Sequence, residues 1–381
     1  MKKIKLLRIT TVPMTLNLLL KNQLIFLSNY FDILAVSSPG LDLEIVKDRE
    51  NVPTFPINMS REFNLILDIK SFFLLLKLFR LEKPDIVHAN TPKASLLSMC
   101  ISYILRIKIR VYTIGGLRFE SEIGIKRKIL ICAEKLTCYF STHILCESIG
   151  VLEKVQLEKI SKKKLYKLSP SNLNGVNESY WDPNLFSNIE IDRTRNKFNL
   201  TNINFVFIYV GRIIRDKGIF ELLNAFIDHN SIYINSRLFI LGDFELSDAD
   251  RFIFDELCYN NRNIHIHGFM SDFRFIMAIS NCLILPSYRE GFPNVVLEAG
   301  CMGLPVIMTK VNGSEEYINA FNGIKIEIAN TYQLFESMNF MIKEFKLYNK
   351  ALIRDNTIKN FSSKLVYESL LEFYNEQLNL L

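Results

Sequence analysis

Short apolar runs rich in β-branched residues alternate with stretches of helical periodicity along nearly the whole chain, and this alternation limits the fold more than any other feature. Predicted strands in the first half cover residues 4–10, 32–36, 85–89, 111–114 and 144–146, and helical patterns cover 64–81 and 93–105. Predicted strands in the second half cover residues 204–211, 238–242, 264–268, 282–286 and 305–308. A β-α-β-α order predicts an α/β fold in which parallel sheets carry helices on both faces.

The chain is too long for a single hydrophobic core, because its 381 residues exceed the size at which such cores stop growing. Residues 170–188 are dense in Pro, Gly, Asn and Ser and have little periodicity, which is typical of a linker. We therefore predict four segments: an N-terminal domain over 1–170, a linker over 171–188, a C-terminal domain over 189–358, and a helix over 359–381 that packs back toward the N-terminal domain. Ligands in such folds bind beyond the carboxyl ends of the strands.

Cysteine usage and hydropathy point to a cytoplasmic protein. The seven cysteines are scattered and include no C-x-x-C pair, which favours reduced thiols over disulfides or a zinc site. The longest uncharged apolar run, residues 94–105, is too short for the roughly 20 residues of a membrane-spanning helix. No transmembrane helix is therefore expected.

The net charge of +6 hides an asymmetry between the two halves. Residues 1–170 hold 27 Lys and Arg against 15 Asp and Glu, whereas the rest of the chain is acidic. A basic half suggests an anionic partner, but no helix-turn-helix, RNP or finger pattern accompanies it, so nucleic acid is not predicted. Basic amphipathic stretches, such as Lys70, Lys77 and Arg80 among phenylalanines and leucines, favour peripheral contact with an anionic membrane surface. The alternative is that each helix packs its apolar stripe and solvates its charges.

The most informative motif is EGFPNVVLE, which begins at Glu290 directly after a predicted strand. Gly291 permits close backbone approach, and Pro293 suits the first turn of a helix. The backbone N–H groups over 291–295 would then form a helix N-terminus able to hold phosphate. Glu290 and Glu298 could each accept hydrogen bonds from the hydroxyls of a sugar or a ribose. The simpler alternative is that both glutamates only favour a helix start.

A second motif, GRIIRDKG over residues 211–218, follows another strand of the same domain. Arg212 and Lys217 supply two cations that could neutralise a diphosphate leaving group without a metal ion. Taken alone, the motif would fit a solvated basic turn. Because both motifs follow strands of one domain, a single nucleotide-sugar ligand could touch both.

Together these motifs resemble the retaining GT-B glycosyltransferases of family 4. The resemblance rests on GRxxxxKG and E-x7-E, and also on TTVP at residues 10–13, IVHANTPK at 86–93 and NGVN at 174–177, so it covers essentially the full chain. The bacterial members that build capsule, O-antigen or exopolysaccharide units on a lipid carrier are the most similar. The resemblance implies two facing Rossmann-like domains with an interdomain cleft, the N-terminal one binding the acceptor and the C-terminal one the nucleotide sugar.

The implied reaction moves a hexosyl or N-acetylhexosaminyl group from a UDP- or GDP-sugar to a polyprenyl-linked saccharide, with retention and with neither cofactor nor metal. It would take place at the inner face of the cytoplasmic membrane. Arg212 and Lys217 would bind the diphosphate, while Glu290 would hold the donor sugar. The full donor set implied by the resemblance is Gly211, Arg212, Lys217, Phe269, Glu290, Gly291, Phe292, Pro293, Asn294, Val295, Glu298 and Thr11.

Two departures from the family pattern bear on the mechanism. The loop after the first strand lacks glycine, so donor phosphates are expected to meet side chains there, such as Thr11. The T-x-H-G histidine is also absent, because residues 113–116 read TIGG. His88 is therefore the predicted catalytic group of the first domain, and Glu120 is an alternative. His88 could also be an ordinary packed residue at a strand end. A front-face transfer, in which the leaving phosphate helps to deprotonate the acceptor, tolerates a missing base.

Two other patterns are discounted as metal sites. Asp248 and Asp250 match a D-x-D pair, but they follow Ser247 at a predicted helix start, where capping explains them. His265 and His267 alternate on a strand with no third ligand in view, so packing or exposure is expected. A sugar-nucleotide epimerase of the same fold and a non-catalytic scaffold that binds a sugar nucleotide or a lipid stay open as alternative functions.

Overall fold

The computed structural model describes residues 3–60, 64–259 and 261–380. The chain divides into two compact units. The first unit comprises Met1–Gly175 and Ser363–Leu381, and the second comprises Val176–Ser362. The division after Gly175 falls inside the segment predicted as a linker, and the chain returns to the first unit at Ser363.

The first unit is built on a parallel sheet of seven strands in the order β3-β2-β1-β4-β5-β6-β7. The strands are β1 (Lys5–Ile9), β2 (Asp32–Ser37), β3 (Thr54–Pro56), β4 (Ile86–Ala89), β5 (Ile109–Ile114), β6 (His143–Cys146) and β7 (Leu165–Tyr166). Both faces are apolar, since Leu7 and Val87 belong to one buried cluster and Leu6 and Ile86 to another. Strands buried on both sides explain why the sequence shows continuous apolar runs.

Six helices of the first unit connect these strands. They are α1 (Gln23–Ser28), α2 (Leu41–Glu50), α3 (Leu65–Glu82), α4 (Pro92–Ile104), α5 (Gly124–Phe140) and α6 (Ile149–Leu157), with a π-helical turn at Thr15–Leu19 and a 3-10 turn at Arg118–Ser121. Local sequence signals set their starts. The Asn64 side chain caps α3 by accepting a hydrogen bond from the Leu67 amide at 3.1 Å, and Pro92 occupies the first turn of α4.

The second unit has a six-stranded parallel sheet in the order β10-β9-β8-β11-β12-β13. The strands are β8 (Phe205–Val210), β9 (Ser236–Leu241), β10 (Ile264–His267), β11 (Cys282–Leu285), β12 (Val306–Thr309) and β13 (Gly323–Ile326). The helices are α7 (Asn188–Lys197), α8 (Ile219–Ile232), α9 (Asp248–Tyr259), α10 (Arg274–Ile279), α11 (Asn294–Cys301), α12 (Ser314–Tyr317), α13 (Thr331–Lys343) and α14 (Lys350–Phe361). Three 3-10 turns lie at Pro183–Leu185, Arg215–Lys217 and Phe345–Leu347.

The C-terminal segment forms a separate helix, α15 (Ser363–Asn379), which packs in the first unit. Leu370, Phe373 and Tyr374 of α15 join the buried cluster that covers one face of the first sheet. The prediction of one helix from residue 359 was wrong at its start, because α14 runs to Phe361 and Ser362 interrupts the helical backbone with an extended conformation. Leu381 lies outside the described residues.

The predicted α/β architecture is confirmed, since every predicted strand overlaps an observed parallel strand. Three short strands were not predicted: β3, β7 and β13. No helix in the described part of the chain is both long and apolar enough to span a bilayer. The structure has all seven cysteines as free thiols.

Candidate functional site

Two loops of the second unit meet at the carboxyl edge of its sheet. One follows β8 and the other follows β11, and these strands are neighbours through the pairs Cys282↔Phe207 and Leu283↔Ile208. The loops contact each other directly, because the Tyr288 amide donates a hydrogen bond to the Asp216 carbonyl at 2.9 Å. Strand order reverses between β8 and β11, and such a switch point is where open parallel sheets bind their ligands.

Gly218 allows this close approach. Its φ of +69° lies in the left-handed region, and a Cβ built there would lie 2.1 Å from the Pro286 carbonyl oxygen. Any side chain would therefore push the turn Arg215–Lys217 away from the end of β11. The contact between the two loops thus explains the last glycine of the GRxxxxKG motif, Gly218.

Lys217 and Glu290 form an ion pair across the two loops, with Nζ and Oε1 2.5 Å apart. Their side chains are only 18% and 12% exposed, so the pair lies partly shielded from solvent. The Glu290 carbonyl accepts a hydrogen bond from Asn312 Nδ2 at 3.1 Å, which ties the loop to the residues after β12. An ammonium group has three donors, so Lys217 keeps capacity for a further acceptor beside Glu290.

Arg212 lies on the same edge. Its guanidinium is half exposed and pairs with Glu245, Nη1 to Oε2 at 2.6 Å. Its carbonyl accepts a hydrogen bond from the Tyr209 hydroxyl at 2.7 Å. Burial, with a smaller contribution from the Glu290 carboxylate, raises the pKa of Tyr209, while Arg212 acts in the opposite direction. The structure therefore pairs Lys217 with Glu290 directly, whereas Arg212 is linked to them through Tyr209, which lies close to both Arg212 and Glu290.

The rest of the EGFPNVVLE motif forms the entry to α11. Phe292 is buried, and Gly313 packs against it so closely that a Cβ there would approach the Phe292 Cα within 3.0 Å. Pro293 is the N-cap residue of α11 and has an extended conformation. Its side chain has no hydrogen-bond acceptor, so the cap residue does not bond the backbone amides of the first turn, to which Asn294 and Val295 belong. Such a helix start suits an anion.

The remaining predicted donor residues are distributed more widely. Gly211 follows β8 directly, and a Cβ on Gly242 would meet its carbonyl oxygen at 1.9 Å. Glu298 lies half-buried on α11 and close to Tyr180. Burial raises the pKa of Tyr180, and the Asp272 and Glu298 carboxylates raise it further. Phe269 is exposed after β10, which is separated from β11 by β9 and β8.

His88 and Thr11 lie in the first unit and are fully engaged there. His88 on β4 contacts the Tyr374 hydroxyl through Nδ1 at 2.5 Å and the Thr113 hydroxyl through Nε2 at 2.6 Å. Burial, and then the Arg8 cation, lower its pKa well below the ordinary value, so the ring is neutral. The Thr11 hydroxyl lies 2.8 Å from the Thr91 hydroxyl and accepts from the Ala94 amide at 3.2 Å. Both side chains therefore stabilise the loop edge of the first sheet.

The patterns discounted as metal sites have structural roles. Ser247 accepts a hydrogen bond from the Asp250 amide at 3.2 Å, and Asp250 accepts one from Arg215 Nε at 2.9 Å. His265 stacks on Phe239 at 4.6 Å between ring centroids, and His267 lies parallel to the same ring. Within residues 3–60, 64–259 and 261–380, no group of three or more His, Cys, Asp or Glu side chains is arranged to hold a metal ion.

Three residues of the site were not predicted: Tyr209, Glu245 and Asn312. Tyr209 lies in an apolar strand, where only its hydroxyl distinguishes it from a core residue. Glu245 and Asn312 follow β9 and β12, the strands that flank β8 and β11. The strand order places them near the site, but no local sequence pattern marks them.

Solved structures show the same fold. The structure of Anabaena Alr3699/HepE in complex with UDP matches with a TM-score of 0.80 and 16% sequence identity, covering 98% of this chain and 100% of that one. A glycosyltransferase from Rickettsia africae ESF-5 matches with a TM-score of 0.79 and 20% identity, covering 99% of both chains. The fold is that of the GT-B glycosyltransferases.

Sequence comparisons agree with the fold. The family described as "Glycosyl transferases group 1" matches residues 190–354, and "Glycosyl transferase 4-like" matches residues 8–148. The chain is 32% identical to the capsular polysaccharide biosynthesis glycosyltransferase CapM of Staphylococcus aureus over 98% of both chains. It is 27% identical to an Escherichia coli UDP-Gal:alpha-D-GlcNAc-diphosphoundecaprenol alpha-1,3-galactosyltransferase, over 85% of this chain and 79% of that one. The chain therefore belongs to the group 1, family 4-like glycosyltransferases.

Proposed function

We propose that this glycosyltransferase moves a hexosyl or N-acetylhexosaminyl group from a UDP- or GDP-sugar to a lipid-linked saccharide during synthesis of a cell-surface polysaccharide. The names of the relatives support this proposal, since one is a capsular polysaccharide enzyme and the other uses UDP-Gal and a diphosphoundecaprenol acceptor. The observation that carries the donor side is the shielded Lys217–Glu290 ion pair at the β8/β11 switch point.

The proposed donor site uses fixed cations in place of a metal. Lys217 would donate to the diphosphate while it keeps its contact with Glu290, and Arg212 would exchange its half-exposed contact with Glu245 for a phosphate oxygen. The first amides of α11 add partial positive charge. Charge that develops on the departing diphosphate would thus be met by Lys217 and the α11 amides, which are already in position, and such preorganisation is the main source of electrostatic catalysis.

Glu290 and Glu298 are proposed to orient the sugar and the ribose through their carboxylates. Retention would follow a front-face course, in which the leaving phosphate oxygen accepts the proton of the attacking hydroxyl. His88 enters this scheme only as a neutral polar group, because both ring nitrogens already contact Tyr374 and Thr113. To reach a substrate it would have to give up one of these contacts.

We also propose that the first unit contacts an anionic membrane surface, at the inner face of the cytoplasmic membrane. Exposed apolar side chains project from α3 and α5, among them Ile66, Phe73, Ile125 and Ile129. Helix α4 packs against both α3 and α5, so these helices are neighbours. Exposed cations on α3 and α5 accompany the apolar groups, which is the composition that an anionic leaflet attracts. This would bring the enzyme to a polyprenyl-linked acceptor.

A transfer assay with a panel of UDP- and GDP-sugars, with membrane extract as acceptor, tests the proposal. Lys217→Ala and Glu290→Ala should lower kcat by about 100-fold or more without loss of folding. Lys310→Ala is the matched control, because Lys310 forms an exposed ion pair with Glu327 elsewhere in the same unit. Wild-type activity in both site variants would refute their roles, and release of a free epimer without acceptor would indicate an epimerase. Complete loss of activity in EDTA would contradict metal independence.

A further inference from the structure

The first unit contains a cavity at the carboxyl ends of β1, β4, β5 and β6. It encloses about 40 Å³, which is room for about three water-sized groups or the end of a larger ligand. Arg8 and His88, which are register partners on β1 and β4, line it together with Gln23 of α1 and Leu370 of α15. Strand order reverses between β1 and β4, so this cavity occupies the switch point of the first sheet, as the donor site does in the second.

Arg8 is an unusual residue for the middle of a buried strand. Arg8 is 1% exposed, its Nη2 donates a hydrogen bond to Gln23 Oε1 at 2.8 Å, and the Tyr374 hydroxyl lies close enough to interact with the guanidinium. Nε and Nη1 are buried and have no hydrogen-bond partner among the described residues. A guanidinium stays protonated in proteins, so the strand holds a positive charge with unused donors in a residue that lines the cavity.

Asn90 adds a second unsatisfied group. It follows β4, lines the same cavity, and both polar atoms of its amide are buried without a partner in the described structure. Lys167 and Glu147 also line the cavity, with one charge of each sign, and His88 there is neutral. Burying a charge or an amide without hydrogen-bond partners is unfavourable. The presence of both at one cavity therefore indicates a role other than stabilising the fold.

We propose that this cavity binds a small oxyanion group, either a carboxylate or a phosphate. The Arg8 guanidinium would neutralise its charge and donate through Nε and Nη1, and the Asn90 amide would donate to a further oxygen. Water could accept these hydrogen bonds but would leave the charge unbalanced. With about 40 Å³ of space, the cavity suits the charged end of a sugar acid or a phosphate group. The proposal does not depend on the donor site.

Thermal unfolding of the full chain tests this proposal, with inorganic phosphate, glucuronate and neutral glucose as probes at constant ionic strength. At a probe concentration about tenfold above Kd, the unfolding midpoint of the wild type should rise by about 3 °C or more. Arg8→Met should abolish the rise yet fold, because apolar replacement of a buried charge is often tolerated. Lys108→Met, which removes an exposed cation of the same unit, should respond like the wild type. The unfolding midpoint of Lys217→Met should also rise, which would show that the stabilising phosphate is not bound at Lys217 in the second unit.

The pattern of responses identifies the ligand. A rise with glucuronate but not with glucose would assign the cavity to the carboxylate of a sugar acid, and a rise with phosphate alone would assign it to a phosphate group. Equal shifts in the wild type and Arg8→Met, or no shift with either anion, would overturn the proposal. Asn90→Ala gives a second test by titration calorimetry if Arg8→Met does not fold. The dissociation constant should then increase at least fivefold, and an unchanged constant would count against the site.

Discussion

Glu134 of α5 shows how strongly this fold can alter a single side chain. The residue is 5% exposed, and its carboxyl group accepts a hydrogen bond from the Tyr112 hydroxyl at 2.6 Å. Burial raises the pKa of Glu134 to about 7, and the Tyr112 hydrogen bond only partly opposes this. Between pH 4.5 and 7 the unfolded chain therefore releases a proton that the folded chain retains, so the free energy of unfolding falls as pH rises through this window.

Glu134→Gln should remove that pH dependence, because an amide keeps the hydrogen bond from Tyr112 and never ionises. We expect the variant to match the wild type near pH 4.5 and to exceed it at pH 8 by roughly 3 kcal/mol, before any packing cost. Urea midpoints measured from pH 4.5 to 8 give the comparison. Glu153→Gln, on the exposed side of α6, should follow the wild-type curve. A Glu134→Gln curve parallel to the wild type would show that the carboxyl group is not protonated in the fold.

Arg8 marks the limit of prediction at the residue scale. The sequence predicts a strand over residues 4–10, and β1 lies there. In a strand buried on both faces, alternation does not tell whether a charged side chain reaches solvent or a cavity. An arginine inside an apolar run was the only sequence feature that marked this position as unusual. Its place at the cavity follows from the register opposite His88 and from the residues of α1 and α15 that line the same cavity.

At the scale of elements, the sequence predicted every central strand of the two described sheets and one edge strand, β10, and it missed the other three edge strands. The three unpredicted strands β3, β7 and β13 all lie at sheet edges and have two to four residues. Edge strands need less apolar surface than central ones, so Thr54–Pro56 and Leu165–Tyr166 lack the long apolar run that marks β8. Central strands were predictable because burial on both faces demands continuous apolar residues.

Gly218→Ala tests the contact between the turn Arg215–Lys217 and the end of β11. Gly124 gives a matched control, since its φ of +61° is nearly the same as that of Gly218 but a Cβ there would meet nothing within 4 Å. Both changes carry a left-handed backbone cost of about 1 kcal/mol, while only Gly218→Ala adds a clash with the Pro286 carbonyl.

We expect Gly218→Ala to weaken binding of a nucleoside diphosphate at least tenfold, because the displaced turn carries Lys217 away from Glu290. Titration calorimetry with UDP and GDP, together with unfolding midpoints, separates lost binding from lost stability. Gly124→Ala should bind as the wild type does. If the two variants bind equally well, the close approach of the turn to β11 is not needed for the site.

At the scale of the whole molecule, distant parts of the sequence meet because of strand order. Lys217 and Glu290 are 73 residues apart, and they pair because β11 lies directly beside β8. The motifs alone indicated that both loops follow strands of one domain, which was enough to propose a shared ligand. Their partners Glu245 and Asn312 could not be predicted, because the order β9-β8-β11-β12 must be known before those loops can be placed near the site.

The uneven distribution of charge between the two parts of the chain leads to a prediction about the intact protein. The basic first 170 residues and the exposed apolar groups of α3 and α5 belong to the same unit. Full-length protein should therefore bind vesicles containing phosphatidylglycerol more tightly than vesicles of phosphatidylcholine, and binding should weaken as salt rises. Equal binding to both lipids would contradict an electrostatic contribution.

Ile125→Ser combined with Ile129→Ser should lower the partition coefficient onto anionic vesicles by about tenfold or more. Each isoleucine that enters the lipid interface contributes roughly 1.5–3 kcal/mol if fully buried, so partial insertion of two suffices for such a change. Phe252→Ser with Ile253→Ser is the matched control, because these exposed apolar residues lie on α9 of the acidic second unit. Vesicle flotation would measure all three proteins. An equal loss in both double variants would mean that general surface hydrophobicity, rather than the α5 face, drives binding.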